Sequence, residues 1–466
     1  MDVKIDRSGF INIGARCLPA VLLLFAVSAS ADVFQVTSNA DFGAGTLRDA
    51  IDQANANPGP DEITFADDLG TITVTGQMEV SDTLSIIGPA GGQVISGDGQ
   101  TRILAVITED TPLTLENLVL TDGLTTADGD LPACTESDGK GGALCSRSVV
   151  HLRRVTIENS RTLGDSAYGG GLWLTAAGTI TDSIIRNNRF EGTAPVMAGG
   201  GGLFCSCAGE TLSIHNSLIE GNTAVHENSY GGGLSISAGF LVLTDSTVAD
   251  NVAGRHGGGI YARSGRIENS TISGNSAPRS GVLLWINATQ GLVISNTTIT
   301  NNHATDLDDE LGAGLRLTFS NQDVNAQFNS VLLAENSGFL GNLGAMPANP
   351  DWTSQVTLDV VHSLFGDDSA EINGQNLNNI FSDNPRLKPL ADLGCAVPAG
   401  APGTEQCVPV HAFMAGSPAV NAGSNPEDME FDQRGPGFPR VNDGQADIGS
   451  YESNDGLFAD RFEMQP

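Results

Sequence analysis

At 466 residues the chain is too long for a single ordinary core, and 58 Gly with only 5% aromatic residues point to a repeat array. Gly without a three-residue period excludes a collagen-like rod, and 40% hydrophobic content excludes wholesale disorder. A net charge of −33, from 55 acidic against 22 basic residues, sets nucleic acid and anionic lipid aside as partners and leaves glycans, surface proteins and divalent cations.

Residues 1–31 have the form of an export signal. Lys4, Arg7 and Arg16 give a basic start, an apolar run follows from Leu18 to Val27, and Ser28 to Ala31 are small residues of the kind signal peptidase accepts. The mature chain then begins at Asp32. The apolar run is short for a membrane anchor, and no later segment is apolar enough to span a bilayer.

Residues 32–84 read as a cap. A strand from Val33 leads through a Gly turn to a helix capped by Thr46, with Leu47, Ala50, Ile51 and Ala54 on one face. Pro58 and Pro60 end that helix, and Ile63 to Phe65 begins a strand. Such a helix would lie as a lid over the first coil of an array. The segment Leu47, Arg48, Asp49, Ala50 resembles the opening of CSLREA-type exported proteins, with Gly45 and Thr46 where that family has Cys and Ser.

Residues 85–370 carry the repeat. The runs Ile180–Asn188 (ITDSIIRNN), Ile214–Asn222 (IHNSLIEGN), Leu243–Asn251 (LTDSTVADN), Ile267–Asn275 (IENSTISGN) and Ile294–Asn302 (ISNTTITNN) share one frame. It reads aliphatic, any, Asn or Asp, Ser or Thr, any, aliphatic, any, any, Asn. The closing Asn positions 188, 222, 251, 275, 302 and 336 lie 24 to 34 residues apart, one solenoid coil each. Between the frames stand Gly-rich turns before an aliphatic residue: Gly141–Leu144, Gly169–Leu172, Gly200–Leu203, Gly231–Leu234, Gly257–Ile260 and Gly312–Leu315. Stacked coils about 4.8 Å apart bury a continuous aliphatic interior that no single coil can bury alone. Ile185, Ile219, Val248, Ile272 and Ile299 are expected to form one interior row. The stacked Asn side chains are expected to bond up the array, which also explains Asn269 and Asn296 better than their place in glycosylation sequons does; Asn287 begins a third. These repeats resemble those of pectate-lyase-like and adhesin-like exported proteins. The resemblance implies an all-β fold: a right-handed parallel β-helix, a pectate-lyase-like solenoid with an N-terminal helical cap.

With Cys17 removed in the signal, six cysteines remain, an even number that favours disulfides in an exported chain. Cys134–Cys145 and Cys395–Cys407 would each close a local loop, the second within residues 371–416. Cys205 and Cys207, one residue apart, close a small ring or pair elsewhere. Zinc is disfavoured, since no two cysteines have CxxC spacing.

Candidate chemistry is sparse. Asp306, Asp308, Asp309 and Glu310 are the one candidate metal site: calcium would gather them, whereas a solvated charge run needs no ion. We expect a solvated loop with shallow calcium binding that folding does not require, and no other cofactor. Arg153, Arg154, Arg186 and Arg189 either line a groove or face solvent, the latter favoured. His256 precedes Gly257 but lacks a nearby Asp pair, since Asp67–Asp68 and Asp367–Asp368 fall near the solenoid ends; His215 reads as a surface residue. The balance favours a non-catalytic adhesion or binding scaffold over a carbohydrate-active lyase or hydrolase, because this fold class hosts both and no clustered acid–base site can be assembled.

Residues 417–454 hold Ser417 to Gly423, Asp432, Gln433, Arg434, Gly435, Arg440 and Asp447 to Glu452. This pattern is similar to the choice-of-anchor Q domain that closes exported bacterial β-helix proteins, which implies surface sorting or solenoid termination. The tail 455–466, with Phe458, Asp460, Phe462 and Glu463, is similar to short tails of secreted gammaproteobacterial proteins. Together these imply the exterior or outer surface of a Gram-negative cell.

Overall fold

The computed structural model describes residues 31–127, 133–135, 138–165, 167–192, 199–286, 291–306, 313–319, 322–347, 355–366, 372–442 and 444–453. Among them the chain is nearly all strand, with one helix, and every ladder between named strands is parallel. The chain is a parallel β-helix. Its parallel ladder starts at Val33–Val36, continues through Asp61–Phe65 and ends at Ile380–Phe381. The helix Leu47–Ala56 (α1) buries Leu47, Ala50, Ile51 and Ala54, and Thr46 caps it by accepting from the Asp49 amide. It packs on the first strands.

One coil is representative. Leu172–Leu174, Thr179–Thr181, Ile184–Arg186 and Arg189–Gly192 are its four strands. Each stacks on its counterpart in the next coil, so like positions superpose. Three aliphatic rows fill the interior. Leu144, Leu172, Leu203, Leu234 and Ile260 make the first, and Leu152, Ile180, Ile214, Leu243, Ile267 and Ile294 the second. The third is the expected row Ile185, Ile219, Val248, Ile272 and Ile299, in register and at most 1% exposed. Burying each of these side chains is worth about 1.5–3 kcal/mol, which is why the array needs many coils to be stable.

The frame's polar positions have separate tasks. Asp182, Asn216, Asp245, Asn269 and Asn296 take left-handed backbone at the corner between two strands, φ 42–51°. The next residue, Ser or Thr, is buried and bonds up the stack: the Ser183 amide donates to Ser217 Oγ and the Ser217 amide to Ser246 Oγ, both 3.1 Å. The closing Asn forms a second ladder. Asn222 Nδ2 donates to Asn251 Oδ1 (3.0 Å) and to the Ile185 carbonyl (2.8 Å), and Asn251 repeats this toward Asn275 and Ile219. These side chains are not themselves left-handed; the residue before each is, as at Asn187, Asp250 and Asn301.

The Gly turns and the Asn ladder prove to be one device. Gly231 has φ +69°, and a Cβ on Gly233 would meet the Asn251 side chain at 3.0 Å. The third Gly therefore makes room for the ladder Asn of its own coil stack. Cys134 and Cys145 are paired, as are Cys395 and Cys407, with Cα–Cα distances of 5.3 and 5.5 Å; Cys205 and Cys207 are also brought together inside the core. The first loop is further pinned by a buried ion pair of Arg102 with Asp138, and Arg102 Nη1 donates to Gln77 Oε1 at 2.6 Å.

Past the last coil the chain turns back and runs along the outside. Residues 387–399 return against 406–413 through antiparallel bridges Leu387–Phe413, Ala391–Val410 and Ala399–Gln406. The tip of this arm reaches the coil of Thr156, where the Ala401 amide donates to Thr156 Oγ1 (3.0 Å). Residues 417–442 and 444–453 continue along the same face. This strap covers an outward row, Thr156, Ile184, Leu218, Thr247, Thr271, Thr298, Leu332 and Leu364, every member of which is buried.

Candidate functional site

The candidates drawn from sequence scatter. Asp306 is exposed, while Asp308, Asp309 and Glu310 lie outside the described residues; among the described residues no three His, Cys, Asp or Glu are placed to hold a metal ion. Arg153 and Arg154 face Glu116, Arg186 faces Glu158 at 2.7 Å, and Arg189 faces Glu191 at 2.6 Å, so these arginines are partnered surface groups rather than a groove lining. His256 is buried beside Tyr230, ring centroids 5.1 Å apart. Burial, with Arg316, Arg255 and Arg279 nearby, pushes its imidazole down to about 2. Asn269 and Asn296 are buried, which removes them as glycan acceptors; Asn287 and the pair Asp367–Asp368 fall outside the described residues. Asp67 and Asp68 border a separate depression with Gly91 and Gly92.

What the structure does assemble is a groove of about 470 Å³ between the left-handed corners of four middle frames and the strap. On the solenoid side stand Asp182, Asn216, Asp245 and Asn269, one from each successive coil. Asn216 Nδ2 donates to Asp182 Oδ1 (2.7 Å) and Asn269 Nδ2 to Asp245 Oδ1 (2.6 Å). His215, next to a corner residue, sets Nδ1 3.1 Å from Asp245 Oδ2 and 3.0 Å from Thr244 Oγ1. The hydrogen bond with Asp245 raises its pKa, against the opposing effect of burial.

On the strap side stand Ala396, Val397 and residues 429–436. Two bridges hold this wall to the corners: Asn216 Nδ2 to the Val397 carbonyl (2.9 Å) and Asn269 Nδ2 to the Phe431 carbonyl (3.3 Å). Arg434 is fixed by Asp432, Nε to Oδ2 at 3.0 Å, and lies 4.1 Å over both the Phe438 and Tyr451 rings. Deeper, Arg440 is wholly buried and donates to Asn296 Oδ1 (3.1 Å) and the Asp447 carbonyl (2.8 Å). Glu452 accepts from the Asn442 and Asp447 amides, and burial raises its pKa to about 7. The charged motif of 432–452 therefore points inward, as the fastening of the strap.

Sequence reasoning passed over this groove. The signal was present, since the third frame position alternates Asp, Asn, Asp, Asn from 182 to 269. What was missing was the second wall, which comes from more than a hundred residues further along the chain.

The chain matches no family model and no curated protein. Among solved structures it is similar to pectate lyase Pel9A, at 12% identity and a TM-score of 0.41, over 92% of this chain and 98% of that one. It is also similar to a mannuronic-acid-specific family 6 polysaccharide lyase from human gut microbiota, at 11% identity and a TM-score of 0.30, over 75% of this chain and 91% of that one. These likenesses concern backbone shape; no residue role or substrate passes to this chain from either.

Proposed function

We propose that this protein is an exported β-helix scaffold that binds a glycan chain in the groove between solenoid and strap without cleaving it. The reading rests on the row Asp182, Asn216, Asp245, Asn269 lining one groove together with the apolar residues Val397, Met429 and Phe431. Carboxylates and amides in a row bond sugar hydroxyls, and an apolar wall takes the sugar faces. The coils repeat every ~4.8 Å, close to the length of one sugar in an extended chain, so successive corners can meet successive sugars. The groove's polar groups are already engaged with one another, Asp245 by two neighbours and Arg434 by Asp432, which suits holding rather than proton transfer.

Export rests on the signal-like residues 1–31 and the paired cysteines. The CSLREA-like opening and the choice-of-anchor Q-like closing segment fit a surface protein of a Gram-negative cell. Calcium at Asp306, Asp308, Asp309 and Glu310 belongs to this proposal only in its weak form, as shallow binding.

A second reading, a carbohydrate-active enzyme, is favoured by one observation: a half-exposed His215 supported by Asp245 is an arrangement that suits a general base. Incubating the purified protein with a panel of neutral, amino and uronate polysaccharides separates the two. Retention of a glycan with unchanged chain length supports the scaffold. Shortened chains, lost with His215→Ala, establish the enzyme.

A further inference from the structure

Resting on the glycan reading, we propose that the ligand's sugars carry free amino groups, so that the groove recognises a cationic, de-N-acetylated hexosamine chain rather than a neutral or uronate one. The groove is rich in acceptors. Among the described residues its charged lining comprises Asp182, Asp245, Glu430 and Asp432 against His215 and Arg434. Arg434 is taken by Asp432, and His215, when protonated, by Asp245. What faces a ligand is therefore net acidic, within a chain of net charge −33.

A second, independent observation points the same way. Asn269 is 2% exposed and lines the groove, and its Oδ1 has no hydrogen-bond partner, while its Nδ2 is used twice. The amide cannot be turned to relieve this, because Nδ2 must face the Asp245 carboxylate. That buried oxygen adds to the acceptor character of the groove wall and offers no donor; leaving it unpaired costs about 1–3 kcal/mol. An ammonium carries three donors and no acceptor, so it matches a site that offers acceptors and lacks donors. A uronate would bring a further carboxylate to Asp182, Asp245 and Glu430 and be repelled.

The test uses the full chain and three defined probes: a glucosamine hexamer, its N-acetylated counterpart and a galacturonate hexamer. Calorimetry should give a glucosamine affinity about ten-fold or more above the N-acetylated probe, falling with salt, and no uronate binding. Asp182→Asn with Asp245→Asn should remove that preference. Both changes keep the fold, because Asn already occupies this corner at positions 216 and 269. Asp67→Asn with Asp68→Asn removes the same charge far from the groove and should leave the preference intact. Equal binding of the two hexosamine probes overturns the cationic assignment while the glycan reading stands. Equal losses from the two double variants also overturn it, as attraction to overall charge. No binding of any glycan overturns both.

Discussion

The two sides of one strand row differ in what they repeat. Inward, Ile185, Ile219, Val248, Ile272 and Ile299 are nearly the same residue, and each is buried by its copies above and below. Outward, one residue earlier, Ile184 and Leu218 give way to Thr247, Thr271 and Thr298, then to Leu332 and Leu364. Every change is answered by the strap. Ala399 and Val408 cover the first aliphatic pair; Gln433 and Ser450 bond Thr271, with Thr247 donating to the Pro409 carbonyl; Ala419 and Ile448 cover the last pair. A uniform row stacks on itself in any register, whereas a varied row fixes one register of a partner that does not repeat. The groove lies between the corners and that partner, which is bonded to them at Asn216 and Asn269.

The contrast predicts how each side fails. The largest effect is expected at the strap's fastening. Arg440→Leu removes the bonds to Asn296 Oδ1 and the Asp447 carbonyl, and with them the buried positive charge that offsets Glu452 and Asp447, while Asp432 keeps Arg434; the loss is about 3–5 kcal/mol. Limited proteolysis should then cut within 385–453 while far-ultraviolet dichroism keeps its β signal. Simultaneous collapse of both would mean the strap and solenoid are one unit.

Asn251→Ala tests the periodic side. It strips partners from the Asn222 amide and side chain and from the Ile219 carbonyl, and should lower stability by about 2–4 kcal/mol in denaturant titration. Here the loss should appear in the β signal itself, with the strap no more accessible than the coils beneath it.

The third effect is the pH profile. His256 is held neutral when folded, so the unfolded chain binds the extra proton between the ordinary value of 6.5 and about 2. Stability therefore falls as pH drops below 6.5, with a slope of up to about 1.4 kcal/mol per pH unit. Glu452 acts oppositely: its folded value is raised from 4.5 to about 7, so its contribution is present at low pH and lost as pH rises through 7. Melting curves should show the acid-side loss reduced in His256→Gln and kept in wild type. The smallest effect belongs to the surface. Glu158→Gln breaks the half-exposed pair with Arg186 and should change stability by no more than about 1 kcal/mol. Chelator and millimolar calcium should likewise leave the melting temperature nearly unmoved, as a solvated 306–310 loop requires.

These contrasts also explain what the sequence could tell. The interior row, the α1 face and the pairs Cys134–Cys145 and Cys395–Cys407 are local or periodic, so spacing alone located them. The strap is neither. Its contacts join Thr156 to Thr404 and Asn296 to Arg440, and nothing in the frame at 294–302 announces a guanidinium from residue 440. The groove inherits that blindness, because half its wall is strap. His215 looked like an ordinary outward residue because Asp245, its partner, sits one coil away, 30 positions along the chain.

The central claim, that the groove between corners and strap holds an uncleaved glycan, is tested most directly by hydrogen exchange on the full chain with and without a saturating bound polysaccharide. Added protection is expected only at residues 181–183, 215–217, 244–246, 268–270, 396–397 and 429–436, with the recovered polysaccharide unchanged in length. Protection centred elsewhere on the solenoid, or a shortened polysaccharide, would contradict it.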